Sequence, residues 1–433
     1  MIRAARRAPR EAVMASRAAI AILCLLVWLP GHAATVAITV VDAASGRPLA
    51  GATAYASGTA RITAADGKLA VPAAAGGAAT TMSVTAPGYA RAEATLRDGD
   101  AARIVRMMPL RPKAVYLSAF GVANRALRDA VLALPGKTAI NALVIDVKGD
   151  DGATPYRSAA RESIGAAAVR RDAAPRAIDL SALVRALHAR GLYLIARIVV
   201  FKDDPLAAAH PDWAVRDAAG AVWRDRERQR WIDPTVRGAW EHHYDLAEEA
   251  ARMGFDEIQF DYLRFPDANG LRFGEPNTES NRVAAITGFL MGARARLRPY
   301  NVYLSVDIFG YVCWNSNDTR IGQRLETLGR TVDYISPMLY PSGFALGVPG
   351  VGKPTERPGE IVRRSLAKAM RRTGLAGVRF RPWLQAFRDY AFDRRTFGAD
   401  EIRVQIDAAE AAGTDGWMVW NPHNRYDSAA LPH

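Results

Sequence analysis

From Lys113 to its end the chain alternates apolar runs of strand length with amphipathic stretches of helix length, eight times over, and few folds accommodate that rhythm. The runs are "KAVYLSAF" (113–120), "ALVIDVKG" (142–149), "YLIARIVV" (193–200), "EIQFDYLRF" (257–265), "VYLSVDIFG" (302–310), "DYISPMLYP" (333–341), "FRPWLQAF" (380–387) and "GWMVWNP" (416–422). Between them lie segments such as "DLSALVRALHARG" and "WEHHYDLAEEAARMG", several closed by the glycine that ends a helix in a left-handed turn. Strands that read as nearly continuous apolar runs are parallel and buried on both faces, so eight such units predict a closed (β/α)8 (TIM) barrel in an α/β chain. An open doubly wound sheet is the second choice, and the lack of a Gly-rich first turn speaks against it.

The chain ahead of this pattern divides in two. Residues 1–34 have an arginine-rich head, the apolar run "AAIAILCLLVWL" and a small-residue stretch ending at Ala34, which is the build of a signal peptide. A secreted or periplasmic protein is therefore expected, touching a membrane only through that segment if it stays uncleaved. Residues 35–110 show no helical periodicity. They carry short β-type runs separated by turns at Ser45-Gly46, Asp66-Gly67 and Pro87-Gly88, the pattern of a small all-β sandwich. Met108 to Ala114 reads as the linker to a barrel domain over 113–433.

Charge and cysteine usage exclude several functions. The net charge is +13, but only seven of the 57 basic residues are lysines and the arginines are scattered along helices, so a solvated surface explains them and no nucleic-acid partner is expected. Cys313 alone remains once the first 34 residues are set aside, so the core and not disulfides must hold the fold. The histidines give no paired ligand spacing: His188, His242 and His243 fall in helical segments, and only His423 lies near a strand end. No metal and no cofactor are expected, although a hard cation held by Asp146, Asp261 and Asp307 would be the one metal arrangement available.

In a (β/α)8 barrel the active site occupies the C-terminal strand ends. Those ends carry Asp146 and Lys148 on strand two, Arg197 on strand three, Asp261 and Arg264 on strand four, Asp307 on strand five, Tyr340 on strand six, Gln385 on strand seven, and Trp420 and Asn421 on strand eight. The N-terminal ends read as apolar, or as carrying single charges that face solvent. Burying a carboxylate such as Asp261 in an apolar strand costs several kcal/mol unless it is paired or at work. Asp261 and Asp307, on adjacent strands, supply the two carboxyl groups that glycosidic cleavage needs, one protonated and one ionised. Arg197 beside Asp261 assigns Asp261 the part of nucleophile or base and Asp307 that of acid. The plainer reading is an Arg197–Asp261 ion pair that only braces the barrel. Asp146 and Lys148, two residues apart, are expected on one face of their strand, holding a sugar hydroxyl or each other; Asp146 could equally be the second carboxylate.

Trp213, Trp223 and Trp231 crowd the long loop after strand three. Aromatic faces suit the C–H faces of sugar rings, and a long loop in a compact barrel is commonly functional. Trp213, Trp223 and Trp231, collectively with Trp314, Tyr340 and Trp420, are therefore read as a carbohydrate groove, with Trp223 and Trp231 as the loop's contacts to substrate, against the alternative that the loop tryptophans pin the loop to the barrel.

Two resemblances add to this. "GRPLAGA", "ADGKLAV" and "APGYA" resemble the carboxypeptidase regulatory-like modules of exported bacterial proteins. "ALVIDVKGDDG", "GFDEIQFDYLRFPD", "LSVDIFGYVCWN", "VDYISPMLYPS" and "GTDGWMVWNPHNRY" resemble a bacterial family of glycoside-hydrolase-like TIM-barrel domains across essentially all of residues 113–433. That resemblance implies the barrel, action on polysaccharide or peptidoglycan-like glycans, and Asp261 as the strand-four carboxylate. An exported glycoside hydrolase is the reading that follows. A glycan-binding barrel without a working acid and a metal-dependent deacetylase or other hydrolase are the alternatives.

Overall fold

The computed structural model describes residues 35–72, 79–97, 99–165 and 177–433. The expected signal peptide lies outside the described residues. The N-terminal module is a two-sheet sandwich. In one sheet β1 (Thr35–Asp42) runs antiparallel to β4 (Lys68–Pro72) and parallel to β7 (Ala102–Met107); the other has the order β3 (Thr59–Ile62), β2 (Thr53–Ala56), β5 (Thr80–Thr85), β6 (Ala92–Leu96). Alternating inward residues of both sheets, among them Ile38, Val40, Ala54, Met82, Val84 and Val105, form a single core.

The remaining strands close into a parallel barrel in chain order: β8 (Lys113–Leu117), β9 (Ala142–Lys148), β10 (Tyr193–Val199), β11 (Glu257–Asp261), β12 (Tyr303–Phe309), β13 (Tyr334–Met338), β14 (Trp383–Gln385) and β15 (Trp417–Trp420), which pairs back to β8. Every residue of β9 and β10 is buried, because one face meets the helices and the other fills the barrel. The helix Arg237–Met253 ends at Gly254, whose φ of 105° is the left-handed turn expected there. Among the described residues no helix is long and apolar enough to cross a membrane.

Inward side chains stack in layers two residues apart. Tyr193, Glu257, Tyr303, Tyr334 and Arg381 form the bottom layer, Val144, Ile195, Gln259, Ser305, Ser336 and Met418 the middle one. The N-terminal ends are thus not apolar as the sequence suggested. Arg381 is fully buried there, 2.6 Å from Asp415 and bonded to Glu257, which also accepts from Tyr193 at 2.9 Å. The module covers this end. Tyr303 and Tyr334 reach backbone groups of Ala86 and Gly88 at 3.0 and 3.1 Å, while Arg91 pairs with Asp256 at 2.9 Å and donates to the Gly254 carbonyl at 2.8 Å. Among the described residues the module does not reach the opposite mouth.

Candidate active site

At that mouth the top layer brings eight strands to one place: Tyr116, Asp146, Arg197, Asp261, Asp307, Met338, Trp383 and Trp420. Arg197 is its centre. Its Nε and Nη2 donate to one oxygen of Asp261 at 3.0 and 2.5 Å, its Nη1 donates to Asp146 at 2.6 Å, and its Nε lies 3.8 Å from Asp307. The guanidinium therefore stands where a cation shared by three aspartates would stand. Among the described residues no group of three or more His, Cys, Asp or Glu side chains is placed to hold a metal. Trp420 stacks on Tyr116 with ring centroids 3.8 Å apart, and Arg197 lies 4.8 Å from the Trp420 ring, so aromatic faces insulate the charges from bulk water.

The three carboxyl groups have different surroundings. Asp261 accepts from Arg197 on one oxygen and from the Tyr262 backbone N–H on the other, and it lines the cavity. Burial pushes Asp146 up to about 6 against the pull of Arg197 and of the Tyr116 hydroxyl. Burial pushes Asp307 well above the ordinary carboxylate range, and the nearby Asp261 charge adds to this. One Asp307 oxygen accepts from Trp383 Nε1 at 2.7 Å, and its other, Oδ2, has no hydrogen-bond partner among the described residues. A single guanidinium cannot fully neutralise three buried aspartates, and the imbalance favours the neutral form of Asp307.

Above this cluster opens a cavity of about 410 Å³, walled by Arg197, Asp261, Tyr262, Arg264, Tyr340 and Trp420. Phe387 and Tyr390, with parallel rings 6.2 Å apart, extend the aromatic wall. Tyr262 and Arg264 also border a second, adjoining cavity of about 700 Å³ lined by Trp223, Trp231 and Lys202.

A family model described as "Putative glycosyl hydrolase domain" matches residues 114–426. The chain belongs to this family. Its barrel aligns with the glycoside hydrolase domain of PgaB (BpsB) from Bordetella bronchiseptica at a TM-score of 0.54 and 14% identity, over 73% of this chain and 95% of that one, a likeness of fold. A hypothetical protein from Ruminiclostridium thermocellum ATCC 27405 is 34% identical over 45% of this chain and 96% of its own, with a TM-score of 0.38. A chitinase from Chromobacterium violaceum ATCC 12472 gives 12% identity and a TM-score of 0.43 over 73% of this chain and 96% of its own. No curated protein matches the chain.

Within this glycosyl hydrolase-type barrel, several residues sit elsewhere than their spacing suggested. Lys148 does not share a face with Asp146, because the β9–β10 register shifts by one residue between them and turns it outward. It is fully buried, donating to the Val199 carbonyl at 2.6 Å and pairing with Asp203 at 3.1 Å, away from the mouth. Strand four stops at Asp261, not at Phe265: Tyr262 has φ 47°, a left-handed conformation that breaks the strand. Arg264 is consequently a loop residue. Gln385 is buried beneath the mouth, bonding Ser342 at 3.0 Å and Gln405 at 2.9 Å, and so fixes the turn after β13. Asn421 holds the Ala386 carbonyl at 2.7 Å and borders a different cleft, between the last strands and the C-terminal segment. Asp307 is 1% exposed and stands behind Met338 and Trp383, which form the cavity wall in front of it. Tyr116, Tyr262, Trp383, Phe387 and Tyr390 escaped the sequence reading. Tyr116 and Trp383 follow the same two-residue alternation as their neighbours and were legible in principle.

Proposed function

We propose that this domain is an exported glycoside hydrolase cleaving a cell-envelope or extracellular polysaccharide, with Asp261 as the carboxylate at the anomeric centre and Asp307 as the acid. One observation carries the reading. Two carboxyl groups share one guanidinium under an aromatic-walled cavity, and one is charge-paired while the other is driven toward its neutral form. Such divergent environments are what distinguish acid from base in hydrolytic sites. Arg197 Nε lies 3.0 Å from an Asp261 oxygen and 3.8 Å from Asp307 Oδ2, so those oxygens are no farther apart than the sum of the two distances. That bound admits the roughly 5–5.5 Å separation of retaining enzymes and leaves only the lower end of the roughly 6.5–9.5 Å of inverting ones, which supports a nucleophilic part for Asp261. The build of residues 1–34 supports export.

The cover over Asp307 favours a second reading, a glycan-binding barrel whose acid never meets substrate. Reducing-end release from peptidoglycan strands and extracellular polysaccharides, measured beside binding to the same polymers, separates the two. Asp261→Asn and Asp307→Asn should each lower turnover by roughly 10²–10⁴-fold while binding persists. Turnover that survives Asp261→Asn refutes the assignment; binding by the native protein without any turnover selects the second reading.

A further inference from the structure

Arg264 stands at the junction of the two cavities, and half-burial together with the want of a carboxylate partner sets it apart from the other cations there; Arg226, on the wall of the larger cavity, is exposed to solvent. Lys202 is saturated by acid groups, with Glu227 at 2.5, Asp150 at 3.6 and Asp225 at 3.9 Å. Arg197 is consumed by the aspartates beneath the cavity. Arg224 pairs with Asp204 at 3.3 Å. Arg264 has no carboxylate partner among the described residues. One of its N–H groups donates to the Phe265 carbonyl at 3.1 Å, and the guanidinium lies 4.9 Å from the Trp231 ring and 5.2 Å from the Tyr262 ring. Those rings hold the half-buried cation in place without neutralising it.

The platform is itself anchored. Trp231 is 3% exposed and its Nε1 donates to Asp225 at 2.9 Å, while the left-handed backbone at Tyr262 turns that ring toward Trp231, with centroids 5.6 Å apart. The acid groups facing the junction are already engaged: Asp225 and Glu227 by Lys202, Asp261 by Arg197; Asp267, at the rim of the larger cavity, is exposed to solvent. A partly desolvated guanidinium with unused, coplanar donors matches a planar carboxylate better than it matches hydroxyl groups.

Taking the mouth as a glycan site, as proposed above, we infer that Arg264 is a specificity residue that binds the carboxylate of an acidic sugar, so that the preferred polymer is anionic. The test is a binding measurement on the full chain, independent of turnover. Polyuronates and peptidoglycan strands are each compared with the same polymer after chemical reduction of its carboxyl groups. The native protein should bind at least one acidic polymer about tenfold or more tightly than its reduced form, since a charge-assisted pair is lost. Arg264→Gln should abolish that ratio, affinity for the acidic polymer falling to that for its reduced form, and Arg264→Lys should retain part of it. An unchanged thermal transition checks that the variants are folded. Equal affinity for every pair, no affinity for any, or a ratio that survives Arg264→Gln overturns the inference. A ratio that behaves as expected in a protein without turnover upholds it while the hydrolase reading fails.

Discussion

Replacing Arg197 by Met tests whether its guanidinium neutralises buried charge or merely fills space, because Met approximates the length of the arginine stem without its charge or donors. Asp146, Asp261 and Asp307 are 2%, 5% and 1% exposed, so each loses a nearby positive charge with little water to replace it. Removing one partner from a buried ion cluster costs about 3–5 kcal/mol. The pH dependence is the sharper readout. Arg197 lowers the proton affinity of Asp146, which burial raises to about 6, so its loss drives that carboxyl further up and through neutral pH. The folded variant then holds a proton that the unfolded chain has released, and stability falls as pH rises from about 4 through the raised folded-state value. At pH 7 the deficit against the native protein should be roughly 3–5 kcal/mol; by pH 4, where unfolded carboxyl groups also protonate, it should shrink to the roughly 1–2 kcal/mol of lost hydrogen bonds. Urea unfolding of both proteins at pH 4, 5.5 and 7 measures it. Arg296→Met is the control: that side chain is 37% exposed and bonds Glu241, Asp245 and Glu248 on the surface, so its loss should cost under about 1 kcal/mol. A deficit for Arg197→Met that is the same at all three pH values would refute the reasoning.

Two further substitutions probe the backbone and the domain contact. Tyr262→Gly and Tyr262→Ala both lose the ring, so their difference isolates the φ of 47°; the glycine variant should be the more stable by about 1 kcal/mol in chemical denaturation, and an alanine variant of equal stability would contradict the assigned conformation. Tyr303→Phe removes a buried hydroxyl that accepts from the Ala86 N–H at 3.0 Å and lies 2.8 Å from the Tyr89 carbonyl, which should cost about 1–3 kcal/mol and speed hydrogen exchange at Ala86; no change in either would mean that the module does not brace the barrel end.

The barrel was legible because its strands obey a rule that sequence displays directly: apolar runs of even length, one per helix. What escaped was decided by single residues that the rule cannot see. The shift in β9 that turns Lys148 outward involves Val147, a residue indistinguishable from any other strand valine. The end of strand four depends on Tyr262 adopting a conformation that tyrosine rarely takes, and no turn signal announces it. Asp261 and Arg197 were legible because a charge inside an apolar run demands a partner. Asp307 met the same criterion, but its cover was not legible, since Met338 and Trp383 come from other strands of the barrel. Arg381 and Glu257 were passed over because an N-terminal strand end was taken to face water, whereas the sandwich module seals it.

That sealed end supplies an internal comparison for the mouth. Arg381 with Glu257 and Asp415 repeats the chemistry of Arg197 with its aspartates, one guanidinium among several buried carboxylates under aromatic rings, with Tyr334 4.2 Å from the cation. Buried charge alone therefore does not mark a functional site in this barrel. The difference is access: the lower cluster lies beneath the Tyr303 and Tyr334 contacts to the module, whereas Asp261 and Arg197 open on a cavity of about 410 Å³. Closing a cluster on both sides strengthens the attraction within it, at the cost of desolvating its charges. Leaving one side open sacrifices part of that strength, and the open side is the one flanked by Trp420, Tyr340 and Arg264, groups that among the described residues form no hydrogen bond to the three aspartates and that suit a sugar.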